Sequence, residues 1–104
     1  MANAIDFETQ ARIIKAMAHP SRLAMIHALA EGEMCVCDLR DLVGADFSTV
    51  SKHLLVMKRA GLVADRKDGL WVHYRLRVPC ILDFMKCVEA VLDESGEKAC
   101  CKSG

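Results

Sequence analysis

A chain of 104 residues holds one domain with a single modest core, and an apolar share of 53% excludes a disordered chain. No apolar run reaches the roughly 20 residues needed to span a bilayer, and the opening MANAIDFETQ lacks the basic and apolar regions of a signal peptide, so a cytoplasmic protein with no membrane partner is expected. Net charge is zero, but residues 52–77 carry seven basic and two acidic residues, against four and seven in residues 1–51 and three and five in residues 78–104; that middle block is the footprint of a surface that neutralises phosphates.

Residues 5–18 read as a first helix, with Phe7, Ala11, Ile14 and Ala18 on one apolar stripe. So strong a stripe so near the end of a small chain needs a partner, which a second copy would supply. Pro20 suits the first turn of a second helix, where Leu23, Ile26, His27 and Ala30 follow the helical period and Gly32 is the stop. His27 reads as a packed or rim histidine. Residues 36–43 form a short third helix with Val36, Leu39 and Val43 inward, and the turn 44–46 leads into a fourth helix over about 47–60. Two helices joined by so short a turn are the helix-turn-helix signature.

The fourth helix is capped by Asp46 or Ser48 and buries Val50, Leu54 and Met57. Ser48, Lys52, Leu55 and Arg59 lie opposite, flanked by Thr49 and Ser51, and His53 sits at the edge of the buried stripe in a structural role. Hydroxyls and a lysine near the N-terminal end suit a helix presented to the major groove. The candidate DNA contacts are therefore Ser48, Thr49, Ser51, Lys52 and Arg59. Ser and Thr bond either bases or phosphates, so base identity is not readable.

Gly61 ends this helix. Residues 62–66 and 70–76 alternate as two strands joined through Lys67-Asp68-Gly69, since Asp-Gly is a hairpin signal. Arg66 and Lys67 beside the tip are further candidate DNA contacts, while Trp71 and Tyr74 are expected to pack the hairpin on the core. Pro79 opens a fifth helix, where Ile81, Phe84, Val88 and Val91 form one stripe that Leu82, Met85 and Leu92 widen. The expected fold is mainly α with a small β-hairpin: a winged helix-turn-helix over residues 1–93, dimerised through helices one and five, with a flexible cysteine-bearing tail over 94–104. Two-fold symmetry sets two reading helices about one helical turn apart on a palindromic duplex.

Six cysteines in a cytoplasmic chain point to metal or metalloid binding or to redox sensing rather than to disulfides. Cys35 and Cys37 stand just ahead of the reading element. Residues two apart on a helix point some 200° from each other, so these two thiols share one ion only if the third helix starts or unwinds there. Cys80 and Cys87 share a face of the fifth helix about 10 Å apart along its axis, beyond one ion within a single chain. They serve either as small apolar core residues or as thiolates that pair with those of an antiparallel partner helix. Cys100 and Cys101 lie in the tail. A thiol oxidoreductase needs Cys-x-x-Cys after a strand, whereas this chain has Cys-x-Cys with no strand expected before it.

The segments HPSRLAMIHAL, EMCVCDL, STVSKHLLVMKRAGLV and DRKDGLWVHYRL, in this order over roughly residues 8–92, resemble the ArsR/SmtB family of bacterial winged helix-turn-helix repressors. The resemblance implies a homodimer that binds operator DNA when empty and leaves it on binding an inducer, and no enzyme activity. CVCDL is similar to the inducer-binding stretch of the arsenic-sensing branch, Cys-Val-Cys-Asp-Leu-Cys, which implies trivalent arsenic or antimony held by thiolates and no organic cofactor. Cys35 and Cys37 match the first two thiols, but the third position is Arg40, so Cys80, Cys87, Cys100 and Cys101 are candidates for a third ligand or another site. The alternatives are a redox- or persulfide-sensing repressor of the same fold, although such members carry a cysteine in helix two, where His27 stands, and a winged helix used only for protein contacts, which the basic block disfavours.

Overall fold

The computed structural model describes residues 4–92, and Cys100, Cys101 and the proposed tail lie outside them. Helix α1 (Phe7–Met17) begins where Asp6 accepts the backbone N–H groups of Glu8 and Thr9 at 3.1 and 3.2 Å, a cap that starts the helix later than the apolar pattern does. Helix α2 (Pro20–Leu29) has Pro20 in its first turn, as expected. Strand β1 (Met34–Cys35), α3 (Val36–Val43), α4 (Phe47–Arg59), β2 (Val63–Asp68), β3 (Trp71–Leu76) and α5 (Ile81–Glu89) follow, and a 3-10 turn covers Ala90–Leu92. No helix among the described residues is long and apolar enough to cross a membrane.

The sequence pattern gives the hairpin, but the sheet has three strands in the order β1-β3-β2, with both pairings antiparallel. The added strand is the Met34–Cys35 dipeptide, which pairs Met34 with Tyr74 and Cys35 with His73. The tip also differs from expectation. Asp68 pairs with Trp71, so the loop is Gly69-Leu70 rather than one centred on Asp68-Gly69. Gly69 takes φ +64° and no other residue type has positive φ among the described residues, which fits a turn with glycine first and an ordinary residue second.

The core draws on nearly every element. Met25, Ile26, Leu39, Val50, Leu54, Met57 and Val63 are fully enclosed, so α4 lies directly on the core through the stripe expected for it. The second helix is rotated relative to its expected face: Met25, Ile26 and Leu29 are buried, while His27 and Ala30 are exposed. His27 folds back onto the Leu23 carbonyl at 2.9 Å, a rim position.

The outer helices carry apolar faces that the rest of the chain does not cover. On α1 the inward face is Ile13, Ala16 and Met17, and the Phe7, Ala11, Ile14 and Ala18 stripe is exposed. On α5 Met85 alone is buried, with Ile81 and Leu82 packed beside it, while Phe84 and Val88, and Val91 and Leu92 of the following 3-10 turn, face outward.

A histidine cluster joins α2 to α4. His19 Nδ1 accepts the Ser21 backbone N–H at 3.0 Å, and His53 Nδ1 accepts Arg22 Nε at 3.0 Å. The two rings lie 4.4 Å apart. Both bonds need an unprotonated Nδ1. Burial, then the neighbouring His19 and Arg22, hold the His53 pKa below its usual value. A histidine lowered in the folded state takes its proton more readily when unfolded, so its contribution is complete above the ordinary value near 6.5 and is lost as pH falls below it. Urea-unfolding midpoints should therefore decline from pH 7 to pH 5.5, and His53→Gln, which keeps an acceptor but does not titrate, should flatten that decline. Equal slopes for the two proteins would remove His53 as the cause.

Candidate nucleic-acid interface and thiol pair

The turn between α3 and α4 depends on Gly44, whose φ of +74° is left-handed and whose N–H bonds the Arg40 carbonyl at 2.8 Å. With Val50, Leu54 and Met57 inward, α4 turns Ser48, Lys52, Leu55 and Arg59 to solvent, while Thr49 and Ser51 are half-buried at the flanks. Asp46 is the N-cap residue, but its carboxylate is not engaged with the backbone as expected. It accepts the Ser48 hydroxyl at 2.7 Å and the Thr49 hydroxyl. Those hydroxyls, Thr49 first, hold the Asp46 pKa below its usual value. With their protons committed to Asp46, Ser48 and Thr49 keep acceptor lone pairs, the complement of a base amino group.

Along the exposed row the cations divide. Lys52 makes no ion pair among the described residues and stands one turn from the N-terminus of α4. Arg59 lies at the other end, about 16 Å along the axis from Ser48, on the side facing α1. In the wing, Lys67 is exposed and unpaired among the described residues. Arg66 is not free. Its Nη2 and Nε meet Glu33 Oε1 and Oε2 at 2.6 and 3.2 Å, a two-pronged pair that also holds the Glu33 carboxyl below its usual range. Tyr74 packs on the core as expected, but Trp71 is 55% exposed at the tip.

The pair of Glu33 with Arg66 lies next to the thiols. Cys35 ends β1 and is the N-cap residue of α3, with φ −80° and ψ 161°, while Cys37 is in the first turn. The helix therefore starts between them, and the 200° divergence of two helical residues does not apply to this pair. Both thiols are free and half-buried, and no side chain caps the helix start. The unpaired N–H groups of that turn favour negative charge beside it. Two sulfurs at a strand–helix junction suit a soft thiophilic ion. A third ligand is not at hand: no group of three His, Cys, Asp or Glu side chains among the described residues is placed to hold a metal. Arg40, at the third motif position, is exposed 3.9 Å from Asp41. Cys80 and Cys87 are free and exposed on α5, so they do not fill the core.

Sequence reasoning missed β1 and Glu33. The three consecutive residues Glu33, Met34 and Cys35 bond the wing through a side chain and two backbone pairs.

The chain is similar to known proteins in sequence and in fold. Residues 19–65 match the family described as bacterial regulatory protein, arsR family. The chain is 40% identical over 73 residues to the arsenical resistance operon repressor of Escherichia coli, covering 69% of this chain and 62% of that one. It is 35% identical over 82 residues to the cadmium resistance transcriptional regulatory protein CadC of Listeria innocua, covering 78% and 69%. A homodimeric winged helix-turn-helix DNA-binding domain from Mycobacterium bovis superposes with a TM-score of 0.72 at 31% identity, covering 90% and 92%.

The division of cations yields a salt test. Lys52→Gln and Lys67→Gln should each weaken duplex binding and lower the slope of log affinity against log salt by about one. Arg66→Gln should lower it by less than either, and Glu33→Gln should raise it, because that change frees Arg66 for phosphate. Equal slopes across all four variants would remove these side chains from the interface.

Proposed function

The chain belongs to the ArsR family of bacterial regulatory proteins, winged helix-turn-helix DNA-binding regulators and not enzymes, and on that footing we propose that it represses transcription by holding a palindromic operator as a homodimer and lets go when trivalent arsenic or antimony binds its thiolates. Ser48, Thr49, Ser51 and Lys52 read the major groove, and Lys67 meets the phosphates flanking it. Arg66 joins them when Glu33 releases it. The names of the similar repressors, for arsenical and cadmium resistance, support a thiophilic inducer as a class.

The observation that carries this reading is the position of Cys35 and Cys37 at the junction of β1 and α3. Strand β1 pairs with β3 of the wing, and Val36 and Leu39 of α3 are buried in the core that α4 also fills. Drawing two sulfurs onto one ion reshapes the first turn of α3 and the end of β1 together. The strain reaches the reading helix through the core and the wing through the sheet. Moving the two states from 99:1 to 1:99 takes about 10⁴-fold preference, or about 5.5 kcal/mol, which bonds from soft thiolates to such an ion supply. The third thiolate comes from Cys80 or Cys87 of the second copy, or from Cys100 or Cys101.

Dimerisation uses the uncovered stripes, Phe7, Ala11, Ile14 and Ala18 along α1 and Phe84, Val88 and Val91 along α5 and the 3-10 turn after it. Apolar faces of this kind mark association surfaces, and a two-fold axis would place two α4 helices on one face.

Replacing both Cys35 and Cys37 by Ser tests the site. The double variant should bind operator within about threefold of the parent while release by arsenite is lost, a change of at least tenfold in the half-release concentration. Release at the parent's arsenite concentration would place the inducer site elsewhere.

A further inference from the structure

The side of α1 turned away from its exposed stripe borders an open groove of about 470 Å³ against the C-terminal half of α4. Ile13 and Val56 give it an apolar floor, and Arg12, Lys15, Arg22 and Arg59 surround that floor without one acidic residue in the lining. Arg12, Lys15 and Arg59 take part in no ion pair among the described residues. Arg22 is fixed by its bonds to His53 and to the Ala16 carbonyl. A floor of aliphatic carbon beneath a ring of unpaired cations attracts a molecule with an anionic head and a short apolar body, and the size is that of a small-molecule site.

Two neighbours are poorly placed to occupy it. Arg12 is two residues from Ile14, some 200° around the helix, so a second copy seated on the Phe7 and Ile14 stripe leaves the Arg12 side of the groove open, with Lys15 at the border between the two. The groove lies along the C-terminal half of α4, with Arg59 about 16 Å along the axis from Ser48 and about 10 Å from Lys52, so a duplex read by the first turns of α4 lies to one side of it.

We propose that this groove is a second ligand site, separate from the thiols, for a small organic anion of the medium-chain carboxylate class. Carboxylate binds the guanidinium groups, and the chain covers Ile13 and Val56. The ligand bridges α1 to α4, so occupancy fixes the reading helix against the helix that carries the exposed dimer stripe.

The test uses the full reduced protein, octanoate as the probe and octyltrimethylammonium as a probe of the same tail and opposite charge. Calorimetry should show saturable octanoate binding, weakened at least tenfold in Arg12→Gln/Arg59→Gln, and methyl NMR should show shifts at Ile13 and Val56. The cationic probe should not compete. Absence of saturable octanoate binding overturns the proposal, as does equal binding of both probes or binding unchanged in the double variant. Operator affinity and salt slope that fall in that variant, with octanoate binding absent from the parent, would assign the groove to DNA phosphate instead.

Discussion

Two backbone pairs, Met34 with Tyr74 and Cys35 with His73, set the position of the thiol-bearing segment against the wing. They end the segment after α2 as a strand, so that α3 begins at Val36 with Cys35 still extended. Without them the thiols would sit on a loop with no fixed relation to the wing. With them, the sulfurs straddle a junction whose one side is sheet and whose other side is the first helix of the reading unit. A ligand that moves this junction works against a packed core, and packed cores shift between discrete arrangements rather than bend.

Electrostatics does more here for placement than for stability. The ion pair of Glu33 with Arg66 is partly exposed, and such pairs add little to stability. Its geometry still has a consequence, because it holds one cation of the wing off phosphate and keeps it in step with the thiol-bearing strand. Asp46 acts in the same way on Ser48 and Thr49, fixing which hydrogen-bonding partner each hydroxyl can take. Contacts that a reading of charge alone would count as free for DNA are therefore partly spoken for within the chain.

The helix-turn-helix was legible because its signals are local: Gly44 closes α3, and Val50, Leu54 and Met57 repeat at the helical period. What escaped was long-range. A two-residue strand has no alternation to detect, and its partner residues lie far along the chain. The Asp68-Gly69 signal fits two hairpin registers, and the buried cross-strand pair of Val63 with Leu76 decides between them. The stripe on α1 was read at the right period, but period does not say what covers a face, and here nothing in the described chain does. Arg66 was recognisable as a wing cation, while its engagement with Glu33 needed the folded chain. That Cys80 and Cys87 stay out of the core needed the folded chain for the same reason: both are exposed on the surface of α5, while Cys100 and Cys101 lie outside the described residues.

The most direct test of the strand–helix junction as the inducer switch is amide hydrogen exchange on the full reduced protein, free of DNA, before and after arsenite. The expected result is a change in protection at residues 35–38 together with residues 66–74 of the wing, since β1 joins the two. Protection that changes in α5 alone, with residues 35–38 and the wing unaltered, would contradict it.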